Sequence, residues 1–326
     1  MRKLGLVAPY GAGVTPNDIV GIAQMAEELG YDSIWIPEMW GRDAFSILGL
    51  IACNTSSIKL GTGIISVFSR TPAIIAQTVA TLDEISGGRM MLGLGSSGPI
   101  VIEDWHGLKF EKQLQRTKDY VEIIRMILRF ERVNYKSEIF DLKNFRLQFK
   151  PLRSELPIFI AAIGPKNSKL AGELADGWIP FLIPLERLAG AREQVSSASN
   201  NVIVSPFIIA SVTDDPALSK RQVSEHVAYY VGGMGTYYGN VLRRFGYGEE
   251  VENITSAWNK GSKAEAIEAV SDRMLSSLTL SGSIEQARAR LSAYYEAGAD
   301  LPILIFPPKS SIENVTDTIN ALAPSS

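Results

Sequence analysis

Three glycines in the order Gly93-x-Gly95-x-x-Gly98 follow a run of apolar residues. The same spacing forms the loop that holds the pyrophosphate of a dinucleotide, but that loop lies in the first βα turn and opens directly into a helix. Here the motif follows the fourth predicted strand, and Pro99 and β-branched residues precede the next helical pattern. We therefore interpret it as a loop at the carboxyl end of a strand, where missing side chains let a flat ligand touch the backbone.

A second candidate turn follows the fifth predicted strand. Gly164 and Pro165 end that strand, and Lys166, Asn167 and Ser168 stand where a helix begins. Free backbone N–H groups at a helix N-terminus bind phosphate, and a lysine adds positive charge. The segment is therefore a candidate phosphate site, with an ordinary capped βα turn as the alternative.

Glu38 stands at the end of the second predicted strand, with Trp40 beside it. A carboxyl group next to an indole can be partly desolvated, which raises its pKa toward use as a general acid. The alternative is an ion pair with Arg42 or Arg70 that only stabilises the fold. Gly63, at the end of the third predicted strand, allows an unusual backbone conformation there.

Histidine and cysteine are too scarce for several common kinds of site. His106 and His226 are the two histidines and lie far apart in the sequence, and Cys53 is the single cysteine. We therefore predict neither a metal site nor a Ser-His-Asp triad. His106 is more typical of a hydrogen-bonded loop histidine than of a catalyst. The glycine- and tyrosine-rich run at 232–239 lacks the Gly-Lys-Ser/Thr ending of a phosphate loop, and we interpret it as a mobile loop.

The composition is that of a globular chain with a sizeable core. Of its 326 residues 46% are hydrophobic and 21% are charged, with a net charge of −3. This balance argues against a broad nucleic-acid or membrane surface, and no apolar run is long enough to span a membrane. A single cysteine permits no intrachain disulfide and fits a reducing compartment, so we expect a cytoplasmic protein.

Short β-type runs alternate with longer helical patterns along the chain. This alternation predicts parallel βαβ units, and eight of them predict a closed (β/α)8 TIM barrel. The predicted strands lie at 3–9, 33–37, 58–65, 89–95, 156–162, 177–183, 201–212 and 301–308.

The chain is predicted to be a single domain over residues 1–326. The stretch from about 213 to 300 is too long for one crossover helix. We predict an insertion between strands seven and eight, at approximately 232–280, built from extra helices near the barrel mouth.

The loops at these strand ends together resemble the bacterial luciferase-like superfamily, and most of all its coenzyme F420-dependent oxidoreductase branch. The run from Arg70 to Gly98 is the most specific part of the resemblance. The similarity is carried by LGYDSIWIPEMWGRDAF, by LGTGI with RTPAIIAQTVATLDEISGGRMMLGLGSSGP, by WHGLKF and by GPKNSKLAGELADGWIP.

The resemblance implies a barrel that binds F420 or FMN at its carboxyl-end mouth. It places the ring near Glu38, Gly63–Ile64 and Ser96, with a cis peptide bond at Gly63–Ile64 beneath it, and the phosphate pocket at the turn after strand five. The cofactor-binding positions that it implies are Glu38, Trp40, Gly63, Ile64, Ser96, Gly98, Val101, Ala162, Gly164, Pro165, Lys166, Asn167 and Trp178.

Two positions depart from the family pattern. Many members carry a histidine directly after the acidic residue of strand two, and here that residue is Met39. The F420-dependent sugar-phosphate dehydrogenases carry an acidic glutamate where this chain has Gly98. Sugar-phosphate oxidation by that machinery is therefore not expected. Glu38 is the first candidate acid, followed by His106 or Glu103.

Three functions remain open from the sequence. The first is an F420-dependent enzyme that exchanges a hydride with a small organic substrate, with Trp40, Phe68, Trp105 and Trp178 as candidate walls. The second is an FMN-dependent luciferase-like monooxygenase, and the third is a non-catalytic protein that binds a flavin or deazaflavin. We expect a small-molecule substrate, no nucleic-acid or membrane partner, and a homodimer or larger homo-oligomer.

Overall fold

The computed structural model describes residues 2–11, 13–196 and 202–324. Its strands are β1 (Gly5–Val7), β2 (Ser33–Ile36), β3 (Lys59–Thr62), β4 (Ile65–Ser66), β5 (Met90–Gly95), β6 (Val133–Lys136), β7 (Asp141–Phe145), β8 (Ile158–Ala161), β9 (Gly177–Ile179), β10 (Ile203–Val204), β11 (Phe207–Ser211), β12 (Thr279–Ser281) and β13 (Ile303–Ile305).

The helices alternate with these strands over most of the chain. They are α1 (Pro16–Glu28), α2 (Ala44–Asn54), α3 (Pro72–Ile85), α4 (Gln113–Leu128), α5 (Pro165–Leu174), α6 (Leu185–Ser196), α7 (Pro216–Ala228), α8 (Tyr237–Arg244), α9 (Gly248–Asn259), α10 (Lys263–Glu268), α11 (Asp272–Leu278), α12 (Ile284–Glu296) and α13 (Ile312–Leu322), with π-helical turns at Ile100–Trp105 and Tyr229–Gly233.

The parallel strands form one curled sheet. In the described part of the chain its order is β10-β9-β8-β5-β3-β2-β1-β13-β11-β12, with β4 paired to β5. Pro206 separates β10 from β11, because a proline has no N–H to give to a strand ladder. At this break the chain bonds to two different neighbours. The Phe207 amide donates to the Pro180 carbonyl, just after β9, at 2.9 Å, and the Pro206 carbonyl accepts from the Ile303 amide of β13 at 2.9 Å.

Each predicted strand contains β structure in the described residues, although two of them are interrupted. The third is split into β3 and β4, and the seventh is split at Pro206; its first residue, Asn201, lies outside the described residues. Sequence reasoning missed the antiparallel β6–β7 hairpin, which pairs apart from the sheet. It also missed β12 and both π-helical turns, which have no distinctive side-chain period.

Capping residues set the starts of the helices that flank the sheet. The Thr15 side chain accepts the Asp18 amide and the Asp18 carboxylate accepts the Thr15 amide, which is a capping box at the start of α1. Thr71 caps α3, and Pro72 occupies its first turn as the sequence predicted. These caps fix where each helix leaves the loop that follows a strand.

The concave side of the sheet is filled by large aromatic rings. Trp35 on β2 is fully buried and packs edge-on against Phe159 on β8, with 5.2 Å between the ring centroids. A Cβ on Gly61 would overlap the Trp35 ring, and a Cβ on Gly177 would overlap Phe159. Each bulky ring therefore needs a glycine in the neighbouring strand. Together the rings close the interior of the sheet below the carboxyl ends of the strands.

The segment from 212 to 302, between β11 and β13, contains the helices α7 to α12, the π-helical turn Tyr229–Gly233 and the strand β12. Val227, Val231 and Val251 of this segment belong to the same buried cluster as Trp35. The segment is therefore packed onto the sheet's concave side and its carboxyl ends. None of the helices in the described ranges is long and apolar enough to cross a membrane.

Candidate active site at the carboxyl end of the sheet

Glu38 follows β2 and forms a two-point ion pair with Arg70. Arg70 Nη2 lies 2.9 Å from Glu38 Oε2, and the same guanidinium also pairs with Asp43. The Ala44 amide donates to Glu38 Oε2 at 3.0 Å. The Glu38 and Arg70 side chains are only 13% and 24% exposed. Both carboxylate oxygens already accept hydrogen bonds, which is the ion pair with Arg70 that was the alternative to a general acid.

The ion pair also sets the charge state of its neighbours. Hydrogen bonding to Glu38 raises the pKa of Arg70. Burial works against ionisation of Asp43, but hydrogen bonds from Ser46 and the charge of Arg70 together lower the pKa of that carboxyl. The charged cluster therefore ties the loop after β2 to the loop after β4 at the rim of the sheet.

The crossing between β3 and β4 runs through Gly63–Ile64, whose peptide bond is cis, as the resemblance implied. A Cβ on Gly93 would overlap the Thr62 carbonyl oxygen, and one on Gly95 would lie 3.2 Å from the Ile64 side chain. The Thr62 hydroxyl and the Gly93 backbone exchange two hydrogen bonds of 2.8 Å. Gly93 and Gly95 therefore make room for this crossing rather than for a ligand, which corrects our interpretation of the first two glycines of the motif.

The last glycine of the motif, Gly98, borders open space. No atom lies within 4 Å of the position that a Cβ on Gly98 would occupy, and Ser96 is partly exposed. In the following π-helical turn the Val101 side chain is buried in the core, so only its backbone is left for the expected contact with a ligand. His106 ends this turn, and its amide donates to the Val101 carbonyl at 3.1 Å. Its imidazole is half-buried and stays a candidate only.

The predicted phosphate turn is the N-terminus of α5. Gly164 precedes the helix, no side chain caps it, and Pro165 is its first residue. Lys166 is exposed and Asn167 is partly exposed. A Cβ on Gly164 would lie 3.1 Å from the Tyr237 hydroxyl, which reaches this turn from α8. Burial raises the pKa of Tyr237, although a hydrogen bond with the Gly164 backbone opposes this.

Three other residues expected to contact the ligand have side chains that are buried in the core on the helix side of the sheet. Trp178 is 1% exposed, and its indole N–H donates to the Ala162 carbonyl at 2.7 Å. The Ala162 side chain is buried in the same cluster. Phe68 is buried under Arg116, whose guanidinium lies 4.6 Å from its ring centroid. Trp105 is 61% exposed on the surface.

A cavity of 740 Å³ opens beside the predicted cofactor positions, at the carboxyl ends of β1, β2 and β13. Of the expected residues it includes Trp40, together with Met39, the residue that replaces the family histidine. The lining residues that sequence reasoning missed are Tyr10, Gln222, Glu225, His226, Tyr229, Tyr230, Trp258, Lys263 and Lys309.

A helical spacing in the sequence could have revealed part of this lining. Gln222, Glu225, His226, Tyr229 and Tyr230 follow the spacing i, i+3, i+4, i+7 and i+8, which places them on one helix face. Their position next to the carboxyl end of β1, however, depends on the tertiary fold. The face becomes a cavity wall only when α7 packs across the sheet.

Glycines also shape the far wall of the cavity. A Cβ on Gly232 or Gly233 would lie 2.7 Å from the Trp258 side chain. The run that we interpreted as a mobile loop therefore begins as a packed π-helical turn, and its first two glycines admit the indole. The Lys263 ammonium lies 5.5 Å from the Trp258 ring centroid.

Comparison with known proteins identifies the class to which this fold and site belong. The family described as luciferase-like monooxygenase matches residues 4–301, and the chain belongs to it. A Mycobacterium tuberculosis protein named as a coenzyme F420-dependent oxidoreductase is 32% identical over 97% of both chains. The 5,10-methylenetetrahydromethanopterin reductase of Methanolobus tindarius is 31% identical over 89% of this chain and 91% of its own length.

Solved structures show the same fold. The F420-dependent tetrahydromethanopterin reductase of Methanopyrus kandleri has a TM-score of 0.84 and 24% identity, with 99% of this chain and 100% of that chain covered. An F420-dependent secondary alcohol dehydrogenase has a TM-score of 0.78 and 20% identity, with 99% of each chain covered. The curled parallel sheet is thus that of the luciferase-like TIM-barrel structures.

Proposed function

We propose that this chain is an F420-dependent oxidoreductase that transfers a hydride between the deazaflavin and an organic substrate held in the cavity beside Met39 and Trp40. The observation that supports it most is the similarity to a relative named as F420-dependent, which extends over 97% of both chains. A match of that extent includes the sheet, the loops at its carboxyl ends and the segment between β11 and β13.

The residues at the proposed site fit such a cofactor. The N-terminus of α5 lacks a side-chain cap, and its exposed Lys166 adds a positive charge for a phosphate. Gly98 leaves open space for a flat ring, and Ser96 beside it offers a hydroxyl. We propose that the turn holds the phosphate and that the loop at 96–98 borders the ring.

Bound F420 supplies a carbon centre that gives or accepts a hydride. The chain's own contribution is to orient the two partners and to keep water out. The aromatic side chains of Trp40, Tyr229 and Trp258 line the cavity, together with the more polar Tyr10 and His226. Glu38 acts by holding Arg70 and the loop after β2 in place, not by moving a proton.

We further propose that the sheet closes as an eight-stranded barrel and that residues 232–280 are an insertion that covers its mouth. The support for closure is that the segment from 203 to 211 bonds to β9 through one half and to β13 through the other. The support for a cover is that Trp258, Lys263 and Ile267 of this stretch line the cavity at the strand ends.

The proposal is tested by incubating the purified protein with F420 and, separately, with FMN. After gel filtration, retained absorbance and fluorescence report which cofactor stays bound. We expect F420 to be retained and FMN to be lost. Tight FMN retention without F420 binding would favour the monooxygenase, and F420 binding without turnover across a broad panel of ketones, alcohols and activated alkenes would favour a carrier.

A further inference from the structure

His226 has two buried nitrogens without a hydrogen-bond partner. Its side chain is 2% exposed, and both Nδ1 and Nε2 lack a partner in the described part of the chain. Burial lowers its pKa to about 3, so the imidazole is neutral and offers one donor and one acceptor. A buried polar atom without a partner destabilises the fold, and such atoms are uncommon in native proteins.

The groups around His226 are engaged with other partners. Tyr230 stacks on the imidazole at 5.2 Å between ring centroids and shares a hydrogen bond with Tyr10. On the same helix Gln222 accepts a hydrogen bond from Ser211 at 2.7 Å, and Glu225 pairs with Lys309. Tyr229 from the π-helical turn and Lys263 from α10 complete the surroundings, with the Lys263 ammonium over the ring of Trp258. None of these groups is hydrogen-bonded to the imidazole, which also belongs to the cavity lining.

We propose that His226 is the specificity-determining hydrogen-bonding group of the substrate site, and that the substrate is a mainly apolar cyclic molecule with one uncharged hydroxyl or carbonyl group at its buried end. This inference rests on the proposed function, because the cavity would hold the molecule that exchanges the hydride. The residue lies in the segment between β11 and β13, away from the loops that carry the family resemblance.

Three features define this substrate class. The walls are the flat apolar faces of Tyr229, Trp258 and Trp40, which suit a ring system. The volume of 740 Å³ is that of a site for a molecule of drug size rather than for a two- or three-carbon compound. A charged group beside the neutral His226 would lose its hydration without gaining an opposite charge from that imidazole, and the neighbouring Glu225 already pairs with Lys309.

Three probes of one shape test the proposal on the full-length protein without cofactor: naphthalene, 2-naphthol and 2-naphthoate. Calorimetry and quenching of tryptophan fluorescence give the dissociation constants at pH 7. We expect 2-naphthol to bind roughly tenfold or more tightly than naphthalene, as one hydrogen bond to an otherwise unpaired group provides. We expect 2-naphthoate to bind no more tightly than naphthalene.

Variants of His226 test whether the imidazole causes the preference for 2-naphthol over naphthalene. In His226→Phe the preference for 2-naphthol should fall below about twofold, while naphthalene binds as in the wild type. His226→Asn, which restores a donor and an acceptor, should recover at least part of it. Ser205→Ala is the matched control, since Ser205 Oγ is also buried without a partner but lies outside the cavity lining. It should leave all three constants unchanged.

Two results would overturn the inference: a preference for 2-naphthol that survives in His226→Phe, or a wild-type protein that shows no such preference. If circular dichroism shows that His226→Phe is unfolded, a comparison of His226→Asn with His226→Leu decides in its place. F420 retention is measured separately on the same preparations. F420 binding with no effect of His226 rejects this inference alone, and a clear effect of His226 without F420 binding rejects the proposed cofactor alone.

Discussion

Replacing Arg70 by methionine tests whether Glu38 is held in an ion pair. Arg→Met keeps most of the side-chain length and removes the charge, leaving the Glu38 and Asp43 carboxylates without their shared partner. Removing one member of a fully buried pair costs about 3–5 kcal/mol, whereas an exposed pair contributes about 0–1 kcal/mol. Since Glu38 is 13% and Arg70 24% exposed, we expect a loss of about 2–3 kcal/mol in the free energy of unfolding at pH 7.

The loss should depend on pH with a defined sign. The folded pKa of Asp43 is lowered, so the stability that this group contributes is present above its unfolded value and is lost as the pH falls through its folded value. The difference between wild type and Arg70→Met should therefore be largest at pH 7 and should shrink as the pH falls below about 3.8 toward the lowered folded pKa of Asp43.

Urea unfolding at pH 7 and pH 3, followed by circular dichroism, measures both effects. Arg243→Met is the matched control, because Arg243 pairs with Glu252 at 3.4 Å in an exposed setting. It should change stability by about 0–1 kcal/mol. If Arg70→Met costs no more than this control, or costs the same at both pH values, then the ion pair does not organise the rim and the general-acid hypothesis for Glu38 returns.

Three further tests probe the glycine motif, the phosphate turn and the carboxylate of Glu27. Gly93→Ala should destabilise by roughly 1–3 kcal/mol because its methyl group meets backbone, whereas Gly98→Ala should stay within about 0.5 kcal/mol of wild type in the same urea titration. Lys166→Gln should weaken F420 binding roughly three- to tenfold at low salt and less at high salt, while the exposed Lys169→Gln should not; equal effects would move the phosphate elsewhere. Backbone amides of the turn before β3 lower the pKa of Glu27 to about 2 against the effect of burial, so the melting temperature of Glu27→Gln should be below wild type above pH 4.5 and converge as the pH falls toward 2.

The elements were predictable because their signals are local. Thr71 and Pro72 mark the start of α3, and the apolar runs in each predicted strand contain one parallel strand or two. The sequence analysis predicted one strand over 201–212 and missed the break at Pro206, although the missing N–H is a property of the residue itself. The orientation of the side chains was harder to predict. Trp178 was expected at the mouth, but a single step in strand register turns it to the helix side, where its indole bonds to Ala162.

The site was only partly predictable, because its contacts join distant positions. Nothing near Glu38 reveals that its partner is Arg70 rather than Arg42, and the choice depends on how the loops after β2 and β4 meet. The cavity is a stronger case, since Tyr10 and Tyr230 share a hydrogen bond across more than two hundred residues of sequence. Such pairings follow from packing, which local patterns do not encode.

The division of the site between two parts of the chain has a physical cause. Trp35 and Phe159 fill the interior of the sheet, and the glycines that admit them sit on neighbouring strands, so no ligand can enter from within. The candidate site therefore lies above the carboxyl ends of the strands. There, Gly98 and the start of α5 present backbone, which suits a cofactor whose ring and phosphate do not change. The cavity is walled partly by the loops at the strand ends, with Tyr10 and Trp40, and partly by side chains of the segment between β11 and β13, such as His226. We infer that substrate choice in this chain depends on both parts, and that the side chains of the segment can change without disturbing the strand ends.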